Sequence, residues 1–231
     1  MTAPSAVIVG AGTGTGAEVA KRFAAEGYPV AVVRRDGEAL APLVADIAAK
    51  GGQAQAFGLD ASEEAAVIGL FEQVEKSLGP VEVTLFNAAG FASSSLLDAT
   101  VAEFDAMWRG SALGGFLVGR EAARRMVPRG RGTILFTGAT ASVKANAGFA
   151  AFASGKHGLR AVAQSMAKEL GPQGVHVAHL IVDGIIDVAR VRNQMPDLVA
   201  AKGPDGFIQP GSIADLYLWL HRQPRDAWTF E

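Results

Sequence analysis

Apolar residues recur along the chain in two alternating patterns. Short apolar runs, several of them β-branched, fall near residues 5–9, 29–33, 53–58, 81–86, 132–137 and 175–182. Each precedes a stretch with apolar positions three and four apart, near 15–26, 37–50, 62–78, 101–127, 150–170 and 212–221. The first pattern is that of a buried strand and the second that of a helix with one buried face. Local punctuation agrees. Pro29 opens a strand where a missing N–H is tolerated, and Ser62 stands where a helix cap is expected. Gly51-Gly52, Gly79-Pro80 and Gly171-Pro172 close helices, and Pro128 breaks the long one.

Strict alternation of strand and helix predicts an α/β fold: a doubly wound, Rossmann-type parallel sheet with helices on both faces. Right-handed crossovers place every strand's carboxyl end on one edge, where such sheets bind ligands. Chemistry is therefore expected at residues 10–16, 34–36, 58–61, 87–90, 137–142 and 183–188. The 231 residues suffice for one large domain, so residues 1–231 are expected to form a single unit. A net charge of −2 leaves no excess of cations to neutralise phosphates in bulk, which argues against nucleic acid or a membrane surface as the main partner. With no cysteine, disulfides, thiol catalysis and thiolate metal sites are excluded. The first strand begins near residue 5, which leaves no room for a signal peptide, and no apolar run reaches membrane-spanning length. A soluble, cytoplasmic protein is expected.

The richest stretch is Val7-Ile8-Val9 followed by Gly10, Gly12, Gly14 and Gly16, with Ala17, Val19, Ala20, Phe23 and Ala24 at helical spacing beyond. A strand entering a glycine turn and then a helix makes an anion site. Helix-terminal N–H groups point outward there, and no Cβ keeps a phosphate from the backbone. Gly12-x-Gly14-x-x-Ala17 fits the general dinucleotide pattern and Gly10-x-x-x-Gly14-x-Gly16 a variant of it, so spacing alone leaves open which glycines make the turn. Gly10, Gly12, Thr13, Gly14, Thr15 and Gly16 are together the candidate phosphate site.

About 20 residues beyond the glycines, where an NAD-binding domain places an acidic residue for the ribose hydroxyls, stand Arg34 and Arg35. Guanidinium groups suit a 2′-phosphate and not a pair of hydroxyls, so NADP is the expected cofactor. After the third strand, Asp60 is placed to accept from an adenine amino group or to cap the next helix, with Ala61 beside it. After the fourth, Asn87-Ala88-Ala89-Gly90 combines an amide able to tie strands together with small residues that let backbone approach a ligand.

From about residue 5 to about 222 the chain resembles the short-chain dehydrogenase/reductases. Its glycine turn, Asp60 and Asn87-Ala88-Ala89-Gly90 stand where that family has its glycine motif, adenine-site Asp and Asn-Asn-Ala-Gly, with Ala88 replacing the second Asn. The resemblance implies seven parallel strands, NAD(P) across the strand ends with Gly184 and Ile186 beside the nicotinamide carboxamide, a small-molecule substrate, and a homodimer or homotetramer through helices near 107–127 and 152–170. It also implies catalysis by Asn, Ser, Tyr and Lys. Here the Tyr-x-x-x-Lys pattern reads Phe152-Ala153-Ser154-Gly155-Lys156, so Lys156 is kept as the catalytic and ribose-binding residue while Phe152 has no proton to move. The Ser position is Ala139, and the Asn position aligns with Ser111.

Losing a positioned general acid costs about 10²–10⁴ in rate. Substitute donors are Lys156, if burial lowers its pKa, water, and the hydroxyls of Thr137, Thr140 and Ser142. Asp183 either acts electrostatically or caps a turn. Residues 188–210, with Arg190, Arg192, Met195, Pro196, Gly203 and Pro204, lack periodicity and are expected to form a mobile lid over substrate. Histidines 157, 176, 179 and 221 suggest core or surface positions and no metal. Two functions fit: an NADP(H)-dependent oxidoreductase acting on a carbonyl or alcohol with an altered proton donor, or an NADP(H) binder with little or no turnover.

Overall fold

The structure is a computed structural model, and it describes residues 3–203 and 205–231. In chain order its elements are β1 (Ser5–Val9), α1 (Thr15–Ala25), β2 (Val30–Arg34), α2 (Ala41–Ala49), β3 (Ala54–Gly58), α3 (Glu64–Ser77), β4 (Val81–Phe86), α4 (Val101–Trp108), α5 (Gly114–Met126), β5 (Gly132–Ala139), α6 (Ala150–Leu170), β6 (Val175–Val182), α7 (Ala189–Gln194), α8 (Pro196–Lys202) and α9 (Pro210–His221). The strands form one parallel sheet in the order β3-β2-β1-β4-β5-β6. The order reverses between β1 and β4, and this switch point opens the crevice where doubly wound sheets bind ligands.

The strands are buried on both faces because helices cover both. Ile134, Phe136 and Phe86 pack with Phe71, Leu117, Val118 and Leu159 from α3, α5 and α6. Ile8, Val32 and Leu135 pack with Phe23, Ile47 and Tyr217 from α1, α2 and α9. Fully burying each such side chain contributes about 1.5–3 kcal/mol.

Several expectations change. The sheet has six strands among the described residues, not seven. Beyond α9 the tail lies against β6 with one backbone bond, His179 N–H to Phe230 C=O at 2.7 Å, so it builds no ladder. Side chains hold it instead. Trp228 stacks on His176 with centroids 4.9 Å apart, and the Glu231 carboxylate takes both Arg160 N–H groups at 2.6 and 2.7 Å. The long helix expected over 101–127 is divided by a π-helical turn, Arg109–Leu113. Ser62 is not a cap: its amide and hydroxyl both donate to Asp60 Oδ1, at 2.9 and 2.8 Å, and α3 starts two residues later.

The segment expected to lack structure contains α7 and α8, and its base is anchored. Asp187 receives Arg192 in bidentate fashion at 2.6 and 2.5 Å and Gln209 at 2.9 Å, and Ile186 bridges to Ile208. Pro204 lies outside the described residues. Among the described residues, no helix is long and apolar enough to cross a membrane.

Candidate functional site

The carboxyl ends of β1, β4, β5 and β6 surround a cavity of about 710 Å³. The turn after β1 forms one wall, and it is packed too tightly for side chains. Gly10 has φ +88°, and a Cβ there would lie 2.5 Å from Ala88 N. A Cβ on Gly16 would lie 2.3 Å from Gly10 O. Gly12 differs, because a Cβ there would meet nothing within 4 Å and the residue lines the cavity. Beside it, at the start of α1, the hydroxyl of Thr15 is buried and has no hydrogen-bond partner in the protein. An orphaned hydroxyl at a helix N-terminus, beside a glycine with no Cβ, is suited to meet an anionic oxygen.

A polar chain connects this wall to the opposite one. Asn87 donates its amide N–H to Gly10 O at 3.0 Å and accepts from Thr137 Oγ1 at 2.8 Å. The Thr137 hydroxyl proton is thereby committed, so Tyr217, 2.7 Å away, donates its own to Thr137 Oγ1. Tyr217 is fully buried in α9, and burial holds its phenol far above the ordinary value. Lys156 Nζ donates to Thr137 C=O at 2.9 Å. Its side chain is only 4% exposed, and burial lowers its pKa to about 8.

Hydroxyls at the end of β5 are engaged. Ser142 Oγ accepts from the Ala139 N–H at 3.1 Å, and Thr140 Oγ1 donates to Asp183 Oδ1 at 2.5 Å. Asp183 therefore anchors a neighbouring hydroxyl rather than capping its own turn. Phe152 lies beside Lys156 on the cavity wall and packs on Phe91, with centroids 5.4 Å apart.

Of the residues proposed from sequence, Gly10, Gly12, Gly14, Thr15, Gly16, Asn87, Ala89, Gly90, Lys156, Gly184 and Ile186 come together on this cavity, with Ala139 and Phe152. Ala88 stands behind it, its backbone closing on Gly10. Thr13 is exposed on the turn. Arg34, Arg35, Asp60 and Ala61 sit farther out along the same edge, at the ends of β2 and β3. Hydrogen bonds from the Ser62 amide and then its hydroxyl hold the Asp60 carboxyl below the usual range. Ser111 is buried in the π-turn, packed toward Gly155 of α6, and is not on the cavity wall.

A family model described as short chain dehydrogenase matches residues 4–198. The chain belongs to the short-chain dehydrogenase family. It is 30% identical over 219 residues to the 3-oxoacyl-[acyl-carrier-protein] reductase of Bos taurus, which spans 94% of this chain and 90% of the relative. A short-chain dehydrogenase from Rhodopseudomonas palustris superposes with a TM-score of 0.85 at 45% identity, covering 99% of this chain and 96% of that one. A metagenomic short-chain oxidoreductase in complex with NADP superposes with a TM-score of 0.82 at 26% identity, covering 99% and 95%.

Within this short-chain dehydrogenase fold, sequence reasoning missed Tyr217 and the rings of Phe91 and Phe149. Tyr217 reads as one more apolar position of an amphipathic helix. Phe91 lies in a connection without periodicity, and only the fold brings it to Phe149 and Phe152.

Proposed function

We propose that the chain is an NADP(H)-dependent oxidoreductase of the carbonyl/alcohol type in which Lys156, and not a tyrosine, handles the proton. The observation that carries this is the buried Lys156 ammonium on the wall opposite the glycine turn, with its pKa lowered to about 8. A group of that pKa is protonated at neutral pH and is still acid enough to give up its proton.

Thr15 and the backbone around Gly12 fit a pyrophosphate, and the Arg34 and Arg35 guanidiniums suit a 2′-phosphate beyond it. A nicotinamide nucleotide held there supplies hydride chemistry. The Thr137 carbonyl fixes the Lys156 ammonium in place, and Asn87 and Tyr217 fix Thr137 in turn. Val188 lies against the glycine turn, 2.8 Å from where a Gly14 Cβ would stand, so α7 and α8 are placed to cover a bound substrate. The exposed Phe104, Trp108 and Phe116 of α4 and α5 support a homo-oligomer through that face.

The test is NADPH oxidation against a broad carbonyl panel. Turnover with some member, abolished in Lys156→Ala, is expected. NADPH binding without turnover across the panel would favour a second function, that of a silent NADP(H) binder, for which Phe152 and Ala139 speak.

A further inference from the structure

The cavity has an aromatic corner, and the charged side chains that line it are of one sign. Phe91 meets Phe152 at 5.4 Å and Phe149 at 5.9 Å, with the rings inclined by 61° and 58°. All three line the cavity, and Phe91 is 63% exposed, so its ring is available to a guest. Inclined rings offer a flat aromatic guest both edge-to-face and offset-stacked contacts. Lys144, Lys156 and Arg190 line the same cavity, and among the described residues no carboxylate does. A developing negative charge is therefore favoured by the charged side chains of the lining.

Two positions facing that space, Phe152 and Ala139, have no hydroxyl to offer a substrate oxygen. An acceptor whose reduced oxygen is a localised alkoxide suffers most from this, because its proton affinity is near that of hydroxide. An acceptor whose reduced oxygen is phenolic suffers far less, since its pKa is about 10, like that of a tyrosine side chain.

Resting on the oxidoreductase function proposed above, we infer that the acceptor is a planar conjugated dicarbonyl of the quinone class, seated on the Phe91–Phe149–Phe152 corner. NADPH is the two-electron donor. Hydride arriving at one quinone oxygen breaks that C=O π bond, and the electron pair passes through the aromatising ring to the other oxygen. One proton from the Lys156 ammonium, replaced from water, then completes the hydroquinone. The cations hold the intermediate phenolate, and no tyrosyl proton is needed.

The test uses the purified full chain with NADPH and two acceptors of similar size. One is a dimethylated naphthoquinone, whose ring methyls block amine addition, and the other is tetralone, whose reduction leaves a localised alkoxide. The quinone is expected to give a kcat/KM larger by about 100-fold or more, the scale of one positioned proton donor's contribution. Calorimetry of the quinone in the absence of nucleotide provides a second readout. Phe91→Ala and Phe149→Leu are expected to weaken its binding by about tenfold each, with the NADPH heat retained as the sign that both variants fold. Equal rates for the two acceptors, or quinone affinity indifferent to both substitutions, overturns the acceptor class and leaves the nucleotide site standing. Absence of any NADPH heat overturns the proposed function itself, and the acceptor with it.

Discussion

The glycine turn and the end of β5 face each other across one cavity, yet they are built from different material. The turn is backbone: Gly10 and Gly16 are pressed against neighbouring main chain, and only Gly12 faces open space. The opposite wall is side chain: Lys156, Thr137, Asn87 and Tyr217 in a hydrogen-bonded series, with Phe152 and Ala139 where the family resemblance implies hydroxyls. At Gly10 and Gly16 such a site tolerates almost no substitution, because a Cβ there collides with main chain. A side-chain site can change its chemistry while the fold stays the same. That is how a chain can keep a cofactor wall and still exchange its proton donor.

The sharpest way to break this contrast is within the turn itself. Gly10→Val forces a β-branched residue into positive φ against Ala88, and should destabilise the protein by about 4 kcal/mol or more in urea unfolding. Gly12→Val meets nothing in the protein, so stability should stay within about 0.5 kcal/mol. NADPH affinity should nevertheless fall by about 100-fold, equivalent to about 2.8 kcal/mol. Equal effects of the two substitutions on stability would erase the distinction between a packed glycine and one that faces a ligand.

The next effect lies on the opposite wall. In the unfolded chain Lys156 has an ordinary lysine pKa of 10.5, and in the fold burial lowers it to about 8. Between these values the unfolded state binds more protons, so stability rises with pH there, and below about 8 the buried cation costs its full penalty. Lys156→Met should therefore be more stable than the parent at pH 7 by up to roughly 3 kcal/mol, an advantage that shrinks as pH climbs toward 10.5. The same variant should lose about 10²–10⁴ in turnover. An unchanged difference in unfolding free energy across that pH range would mean the ammonium is not desolvated.

A smaller effect is expected at the outer edge. Arg34→Asp should move the NADP-to-NAD affinity ratio by about tenfold or more toward NAD, because a carboxylate repels a 2′-phosphate and accepts from ribose hydroxyls. An unmoved ratio would remove the arginine from the cofactor site. The smallest is Tyr217→Phe, which takes away one buried hydroxyl and leaves Thr137 Oγ1 one donor short. The expected cost is about 1 kcal/mol in stability, with NADPH affinity weakened several-fold through Asn87 and Gly10.

The same contrast explains what could be read from the sequence. Strand ends follow from apolar runs and glycine punctuation, and β1 and β6 fall where the pattern puts them. The glycine turn was legible because its chemistry is local in the chain. Three features were not: two depend on a distant partner, and one on a competition between neighbouring polar side chains. The π-turn at Arg109–Leu113 has no signature in apolar spacing, and it lets Ser111 pack against Gly155 of a helix far along the chain. Asp60 captured Ser62 and shifted the start of α3, a contest between two polar side chains that spacing alone cannot decide. The aromatic corner joins Phe91 to Phe149 and Phe152 across more than fifty residues, so only the sheet's strand order creates it.

The central claim is that an NADP nucleotide lies across the glycine turn with its 2′-phosphate toward Arg34 and Arg35. Calorimetric titration of NADPH and NADH, in parallel, into the purified protein tests it most directly. The account predicts a saturable heat for NADPH and binding of NADH weaker by about tenfold or more. No heat from either nucleotide, or equal affinity for the two, would contradict it.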